Sequence, residues 1–202
     1  MLTSVAFALF GYLVGSLLFA RYFSKLFCGK DVTADTPDSN PGTYNAYTYG
    51  GFRCGALTLI FDLLKGFLPV FLYIRTCDGL KLGLVLVMSA PVLGHIFPLW
   101  HKFDGGKGIA VSFGVLLGLA PNMLPVLTLA LTYLIFTIVF KVNPHFYRLI
   151  LTYSTAFGII LLTSSSIPVI LGCAAVFVIV LLKIISVRDT YDKMTVRAAW
   201  RR

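Results

Sequence analysis

Long apolar stretches alternate with short polar segments along the chain, and each apolar stretch is a candidate membrane helix. A helix needs roughly 20 apolar residues to cross the hydrocarbon core of a bilayer. Seven candidate stretches, of which the fourth and sixth are short, lie at residues 2–22, 55–74, 82–99, 109–120, 123–140, 149–163 and 167–185. The pattern predicts an all-α, polytopic integral membrane protein with about seven transmembrane helices. The whole chain, residues 1–202, is expected to form a single membrane domain.

The fourth stretch, residues 109–120, is too short to cross a bilayer by itself. A helix over these residues would rise about 18 Å, whereas the hydrocarbon core is about 30 Å thick. Either the helix begins inside the membrane, or an ordinary helix begins nearer Phe103. Irregular backbone at membrane depth is tolerated only where protein or water surrounds it. The first alternative therefore predicts that the loop at residues 100–108 forms the wall of a cavity.

The composition and the charge distribution add an orientation to this picture. Hydrophobic residues make up 58% of the chain and charged residues only 12%, which is far from the soluble average. Most lysines and arginines fall in or beside the loops at residues 25–53 and 100–108, the loop before residue 149, and the tail at residues 187–202. Because basic residues favour the cytoplasmic side, the N-terminus is expected outside and the C-terminus in the cytoplasm. The same bias explains the net charge of +9 without a nucleic-acid partner.

The residue inventory restricts the chemistry that the chain can perform. Its four cysteines form no C-x-x-C pair, and neither a zinc-binding H-E-x-x-H motif, a G-x-S-x-G motif nor a G-x-x-x-x-G-K-[ST] loop is present. All eight acidic residues are aspartates. We therefore expect reduced thiols, no metal and no cofactor. Catalysis must come from Asp, His, Lys, Arg, hydroxyls, amides or the backbone.

The loop at residues 100–108 carries the most distinctive motif, Gly105-Gly106-Lys107-Gly108. Three glycines allow backbone N–H groups to approach an anion closely, and the ammonium group adds a positive charge. The motif predicts a phosphate site. The alternatives are a lysine that extends to the lipid headgroups and glycines that only form a tight turn before a helix.

The loop at residues 25–53 contains a second motif, Asn40-Pro41-Gly42, followed by Asn45. The two asparagines are candidates to orient a hydroxyl or a phosphate, although turn formation and capping alone would also explain Asn-Pro-Gly. A connection of this length is usually either functional or disordered. Its apolar and aromatic residues favour an ordered loop.

Three further candidate site residues lie within the apolar stretches. Asp62 and Lys65 are three residues apart and share one face of a helix, so they either neutralise each other and pin helices together or help to hold a polar substrate. His95 lies near the end of the third stretch. Its imidazole is either a donor or base for a phosphate substrate or a structural partner.

Taken together, these motifs resemble those of the acyl-phosphate:glycerol-3-phosphate acyltransferases. The resemblance extends from about Gly15 to Gly118, in order and with similar spacing. It rests on Gly15-Ser16-Leu17-Leu18, Ser39-Asn40-Pro41-Gly42 with Asn45, Asp62-Leu63-Leu64-Lys65-Gly66, Gly94-His95-Ile96-Phe97-Pro98, and Lys102-Phe103-Asp104-Gly105-Gly106-Lys107-Gly108.

The resemblance implies a seven-helix enzyme of the bacterial inner membrane. Such an enzyme transfers an acyl group from acyl phosphate to glycerol 3-phosphate and makes lysophosphatidic acid for phospholipid synthesis. It works on membrane lipid at the cytoplasmic face, and a soluble enzyme would supply the acyl phosphate. The implied catalytic residues are Asn40, His95 and Lys107. The implied phosphate-binding or substrate-binding residues are Gly42, Asn45, Asp62, Lys65, Gly105, Gly106, Gly108, Arg148 and Arg188.

The chain departs from the family pattern near the expected phosphates. Asp38 stands where the family has serine, Tyr44 replaces a threonine and Thr48 replaces an arginine. Two of these changes remove a small donor or a bidentate cation, and Asp38 adds repulsion toward a phosphate. In the tail, Val187 and Thr190 take the positions of the family's His and Asn, whereas Arg188 is retained.

Three functional hypotheses follow from this mixture of matches and departures. The first is an active acyltransferase in which Arg148, at a position where the family offers serine, or Arg53 compensates for the lost groups. The second is a catalytically silent or acceptor-changed relative that binds acyl phosphate or lipid. The third is a small anion transporter, because helix N-termini aimed at an anion also suit transport.

Overall fold

Each predicted apolar stretch contains a helix. The computed structural model describes residues 1–34, 36, 38–77, 81–187 and 194–196. The helices are α1 (Leu2–Gly15), α2 (Phe19–Cys28), α3 (Thr43–Thr76), α4 (Gly83–Ile96), α5 (Ile109–Leu117), α6 (Leu124–Leu134), α7 (His145–Thr163) and α8 (Ile167–Ser186). A π-helical turn, Ile135–Val139, extends α6, and a 3-10 turn, Leu99–His101, follows α4.

Five helical segments of the described chain are long and apolar enough to cross a membrane. They are Leu2–Cys28, Thr43–Thr76, Gly83–His101, His145–Thr163 and Ile167–Ser186, and Leu124–Val139 is a shorter apolar helix. α5 has nine residues and begins at Ile109, so the alternative of an earlier start near Phe103 is not what the structure adopts. These features make the chain a multi-pass membrane protein with one unusually short internal helix.

The first apolar stretch, predicted as one helix, is broken between α1 and α2. Leu18 leaves the helical region of backbone space with φ −93° and ψ 85°. The break frees the carbonyl of Leu17, which accepts a hydrogen bond from Nζ of Lys65 at 2.7 Å. α2 then continues as an amphipathic helix that buries Ala20 and Ser24. A lysine on a neighbouring helix thus stabilises an interruption that the apolar pattern does not reveal.

α3 begins twelve residues earlier than the apolar pattern predicts and contains a sharp kink. At Gly51 the backbone has φ 81° and ψ 177°, a conformation that a side chain would disfavour. The kink folds the first turns of the helix back, and a Cβ on Gly55 would lie 2.7 Å from the Cα of Tyr47. Much of the predicted loop at residues 25–53 is therefore helical, and its irregular part lies between Cys28 and Thr43.

Glycines allow two pairs of helices to approach closely around the core. A side chain on Gly66 would collide with the carbonyl of Val111, and one on Gly114 with the carbonyl of Leu63, which brings α3 against α5. α1 meets α4 in the same way. Small residues are the usual means of bringing helices together in membranes, where packing replaces the hydrophobic driving force. Buried residues of α4, α5, α7 and α8 form most of the apolar core.

The structure also contains a short element that an all-α architecture does not include. β1 (Val142–Asn143) pairs antiparallel with β2 (Thr195–Val196), next to the start of α7. The all-α prediction therefore holds for the spanning helices but misses this pair. Two-residue strands follow from contact between distant segments and have no detectable period in the sequence.

Candidate functional site

The glycine motif forms an irregular loop that packs directly on His95. Two residues before it, Lys102 and Phe103, have positive φ, and Gly108 has φ 79°. The N–H of Gly106 donates to the carbonyl of His95 at 3.1 Å. A Cβ on Gly105 would collide with that same carbonyl, and one on Gly106 with Nε2 of the imidazole. Glycine is required at both positions because the loop lies against His95, whatever else the backbone binds.

His95 is in turn fixed by a buried cluster between α3 and α4. Its Nδ1 lies 2.9 Å from Nζ of Lys65, and this ammonium group also lies 2.7 Å from Oδ1 of Asp62. Lys65 and Asp62 are each 1% exposed and His95 is 3% exposed. With the Leu17 carbonyl added, three groups surround the ammonium group. The predicted pairing of Asp62 with Lys65 is therefore present, and both are sealed inside the helices.

Lys107 points away from this cluster and toward the first loop. Its Nζ lies 2.9 Å from Oδ2 of Asp38, forming an ion pair in which both side chains are partly exposed. Oδ1 of Asp38 accepts a hydrogen bond from Nδ2 of Asn45 at 2.7 Å and a longer one from the N–H of Asn40 at 3.3 Å. The two motifs that the sequence separates by more than sixty residues meet at one carboxylate.

Asp38 has a lowered pKa as a result of these contacts. Burial by itself raises the pKa of the carboxyl, but the hydrogen bonds from Lys107 and Asn45, together with the charge of Lys107, outweigh this effect. The carboxyl is thus ionised at neutral pH, and Lys107 faces a full negative charge.

The remaining residues of the Asn-Pro-Gly motif shape the turn before α3. Nδ2 of Asn45 also donates to the carbonyl of Asn40 at 3.0 Å and to Oγ1 of Thr36 at 2.9 Å. A Cβ on Gly42 would lie 2.9 Å from Nδ2 of Asn40. Asn45 is 4% exposed and therefore holds the turn together from inside, whereas Asn40 and Gly42 lie at its partly exposed rim.

Arg148 lies at the start of α7 and binds the turn that precedes it. Its Nε donates to the carbonyl of Val142 at 3.0 Å, and its Nη2 to Oδ1 of Asn143 at 2.9 Å. Arg148 and Lys107 both act electrostatically on His145, which places the three side chains in one region of the molecule. Arg53 and Thr48 are exposed. Arg188 and Thr190 lie outside the described residues, and Val187 follows the end of α8.

Three charged residues with roles near the site were missed by sequence reasoning. Arg21 lies 3.7 Å from Asp31 and 3.9 Å from Asp104 and thereby bridges the two motif loops. Lys183, in the last turn of α8, acts electrostatically on His95. Asp38 was noticed only as a repulsive substitution. An arginine at the end of an apolar stretch and an aspartate just before the Asn-Pro-Gly motif are the signals that could have identified Arg21 and Asp38.

The chemical groups of the arrangement are of the kinds that bind anions. Among the described residues, no group of three or more His, Cys or Asp side chains is placed to hold a metal ion. A flexible cation, a glycine loop and an asparagine turn can instead bind and orient anionic substrates and stabilise a leaving phosphate.

Comparison with known proteins shows which family this chain is similar to. The family model described as glycerol-3-phosphate acyltransferase matches residues 5–195. A glycerol-3-phosphate acyltransferase of Cupriavidus taiwanensis is 42% identical over 143 residues, which is 69% of each chain. Another, of Azotobacter vinelandii, is 44% identical over 114 residues, covering 56% of this chain and 59% of the relative.

The fold agrees with this assignment. The crystal structure of PlsY, an integral membrane glycerol 3-phosphate acyltransferase, in its glycerol 3-phosphate form has a TM-score of 0.77 and 25% identity, covering 89% of this chain and 87% of PlsY. The lysophosphatidic acid form gives 0.75. The resemblance inferred from the motifs is confirmed, and the chain belongs to the glycerol-3-phosphate acyltransferase family.

Proposed function

We propose that this protein transfers a fatty acyl group from acyl phosphate to glycerol 3-phosphate and releases lysophosphatidic acid. The observation that carries the proposal is the meeting of Lys107 with the Asn40–Asn45 turn, at a single anion-binding position. PlsY, whose structures are described as glycerol 3-phosphate and lysophosphatidic acid forms, supports the acceptor and the product. The acyl phosphate donor follows from the family resemblance, and a soluble enzyme would supply it.

The proposed reaction requires no covalent intermediate on the protein. Acyl phosphate is a mixed anhydride, so the glycerol hydroxyl can attack its carbonyl carbon directly. A new C–O ester bond forms, the bond from the carbonyl carbon to the phosphate oxygen breaks, and the hydroxyl proton leaves with the phosphate. The protein contributes alignment and stabilisation of the leaving phosphate.

The roles of individual residues follow from their positions. Lys107 and the backbone of Gly105 and Gly108 bind phosphate, whereas the N–H of Gly106 already donates to the carbonyl of His95 and holds the loop in place. Asn40, Gly42 and Asn45 shape the opposite wall. Asp62, Lys65 and His95 are buried, so they position the glycine loop rather than contact a phosphate. Arg148 supplies a further cation beside His145, and Arg188 is assigned to the substrate by family resemblance alone.

We further propose the membrane arrangement that the charges predict. One membrane domain with seven helices places the N-terminus outside and the C-terminus in the cytoplasm of a bacterial cell. In this arrangement α5 does not span the bilayer by itself, because nine residues rise only about 14 Å. Both motif loops then face the cytoplasm, where glycerol 3-phosphate and acyl phosphate are available.

A single-turnover assay tests the proposed activity. Purified protein in detergent is supplied with palmitoyl phosphate and glycerol 3-phosphate, and lysophosphatidic acid is detected by mass spectrometry. Lys107→Ala is expected to lower product formation by about a hundredfold to a thousandfold, whereas Lys102→Ala, an exposed cation on the same loop, keeps near-normal activity. Absence of product from folded wild-type protein that still binds acyl phosphate would overturn the proposal in favour of a silent or acceptor-changed relative.

A further inference from the structure

We propose that Asp38 acts as an internal substitute for the substrate phosphate: its carboxylate occupies the anion-binding position on Lys107, and a phosphate must displace it to bind. The inference rests on the proposed function and names a specificity-determining residue of that same site. It concerns a residue at which this chain departs from the family pattern.

Four donors surround the carboxylate of Asp38. Oδ2 faces Nζ of Lys107 at 2.9 Å. Oδ1 accepts from Nδ2 of Asn45 at 2.7 Å, with longer contacts from the Asn40 N–H at 3.3 Å and Oγ1 of Thr36 at 3.4 Å. An ammonium, an amide N–H, a backbone N–H and a hydroxyl are also the groups that bind phosphate oxygens in proteins. The carboxylate thus fills a site whose chemistry suits a phosphate.

The charges of the pair also bear on phosphate binding. Lys107 is the cation of the glycine motif, and Asp38 cancels its charge at 2.9 Å. A phosphate that arrives beside an intact pair gains little attraction from the ammonium group and is repelled by the carboxylate. If Asp38 moves aside, the phosphate meets an unpaired ammonium group. Both side chains of the pair are partly exposed, 24% for Lys107 and 29% for Asp38, so the exchange does not require opening of the helical core.

The competing interpretation is that Asp38 is a fixed brace, which holds Lys107 in place while the phosphate binds beside it. The two interpretations predict different effects of the same substitution. Asp38→Asn keeps the size of the side chain and an oxygen that can accept from Asn45, but it removes the negative charge. A displaced carboxylate predicts clearly tighter phosphate binding in this variant, whereas a brace predicts unchanged or weaker binding, because Lys107 loses its anchor as the repulsion is removed.

The test measures binding of inorganic phosphate and of glycerol 3-phosphate by calorimetry, using the full chain in detergent. The expected result is that Asp38→Asn lowers both dissociation constants on the order of tenfold or more, the size of one charge-assisted contact. Asp104→Asn is the matched control, because it removes the same charge from an exposed carboxylate that faces Arg21 rather than Lys107. It should change both constants by less than about twofold.

Two further variants test whether the change in phosphate binding depends on the Lys107–Asp38 pair. Adding Lys107→Ala to Asp38→Asn should cancel the gain in phosphate binding, since the ammonium group that the phosphate would contact is then absent. Asp38→Ser, which restores the family residue, repeats the test if Asp38→Asn does not fold. Unchanged or weaker phosphate binding in both Asp38 variants would overturn the inference. The binding measurement needs no turnover, so a protein that binds phosphate as expected but makes no lysophosphatidic acid would refute only the proposed function.

Discussion

The ammonium group of Lys65 lies 2.9 Å from Nδ1 of His95, inside the helical core. Because an ammonium group can only donate, Nδ1 accepts, and the proton of a neutral imidazole sits on Nε2. That nitrogen lies against Gly106. The contact therefore joins α3 to the glycine loop through a single oriented ring, and it explains how residues far from Lys107 can affect the proposed phosphate site.

If His95 positions the loop, its substitutions should affect substrate binding more than the chemical step. We expect His95→Ala to raise KM for glycerol 3-phosphate by about tenfold with a smaller fall in kcat. His95→Asn keeps an acceptor for Lys65 and should recover part of the loss. Steady-state kinetics over a range of pH provide the measurement. A collapse of kcat in both variants, with loss of the acidic limb of the pH profile, would instead identify a general base.

Removal of the Lys65 ammonium group should destabilise the protein. Lys65→Met leaves the carboxylate of Asp62, itself 1% exposed, without its cation. Breaking one side of a buried ion pair costs about 3–5 kcal/mol. Replacing both partners, with Asp62→Leu added, should recover most of this loss. Thermal unfolding in detergent measures both effects. Normal unfolding of Lys65→Met combined with a raised KM would show that Lys65 contacts the substrate.

The packing of the glycine loop predicts unequal effects of two glycine substitutions. Gly106→Ala introduces a Cβ that collides with the imidazole of His95, so the loop must shift and KM for glycerol 3-phosphate should rise. Gly158→Ala, in α7, meets no atom within 4 Å and should be neutral or stabilise the helix by up to about 1 kcal/mol. Kinetics and thermal unfolding of both variants check the pair. Equal kinetics for Gly106→Ala and wild type would contradict the close packing.

The lowered pKa of Asp38 predicts the direction of its pH dependence. A carboxyl whose pKa falls on folding contributes full stability above its unfolded value, near 3.8, and loses it as the pH falls through the folded value. Lys107→Ala should raise the pKa of Asp38, because it removes the strongest lowering contact. Carbon-13 NMR of the labelled carboxyl measures the titration in both proteins. An unchanged pKa in the variant would mean that the ion pair does not form in solution.

Two substitutions separate a structural role of Arg148 from a role in substrate binding. If the side chain holds the turn before α7, both Arg148→Ala and Asn143→Ala should lower the unfolding temperature, and Arg148→Ala should lower it more because it also removes the bond to the Val142 carbonyl. If Arg148 binds substrate phosphate, only Arg148→Ala should raise KM, by about tenfold or more. Parallel measurement of stability and kinetics decides between the roles. A variant pair without any effect would exclude both.

Much of the site was recognisable in the sequence because its motifs are local. Gly105-Gly106-Lys107-Gly108 and Asn40-Pro41-Gly42 each carry their chemistry within a few residues, so their residue types can be read without a fold. Helical spacing also placed Asp62 and Lys65 on one face, which left their pairing as one of two alternatives. The motifs by themselves did not show that they contact each other. Asp38 looked only repulsive toward a phosphate, because its partner Lys107 is sixty-nine positions away in the sequence.

The sequence by itself determined the class of the molecule, the approximate position of its apolar helices, and the family, but not the number of helices, because the first predicted helix is two. These properties depend on composition, on the length of the apolar stretches and on local motifs, all of which can be read from the sequence directly. Only the tertiary structure decided the break at Leu18, the kink at Gly51, the β1–β2 pair and the ion pair of Lys107 with Asp38. Each of these depends on groups that are remote in sequence, or on a backbone angle that the local residue permits but does not dictate, and such choices are made by packing.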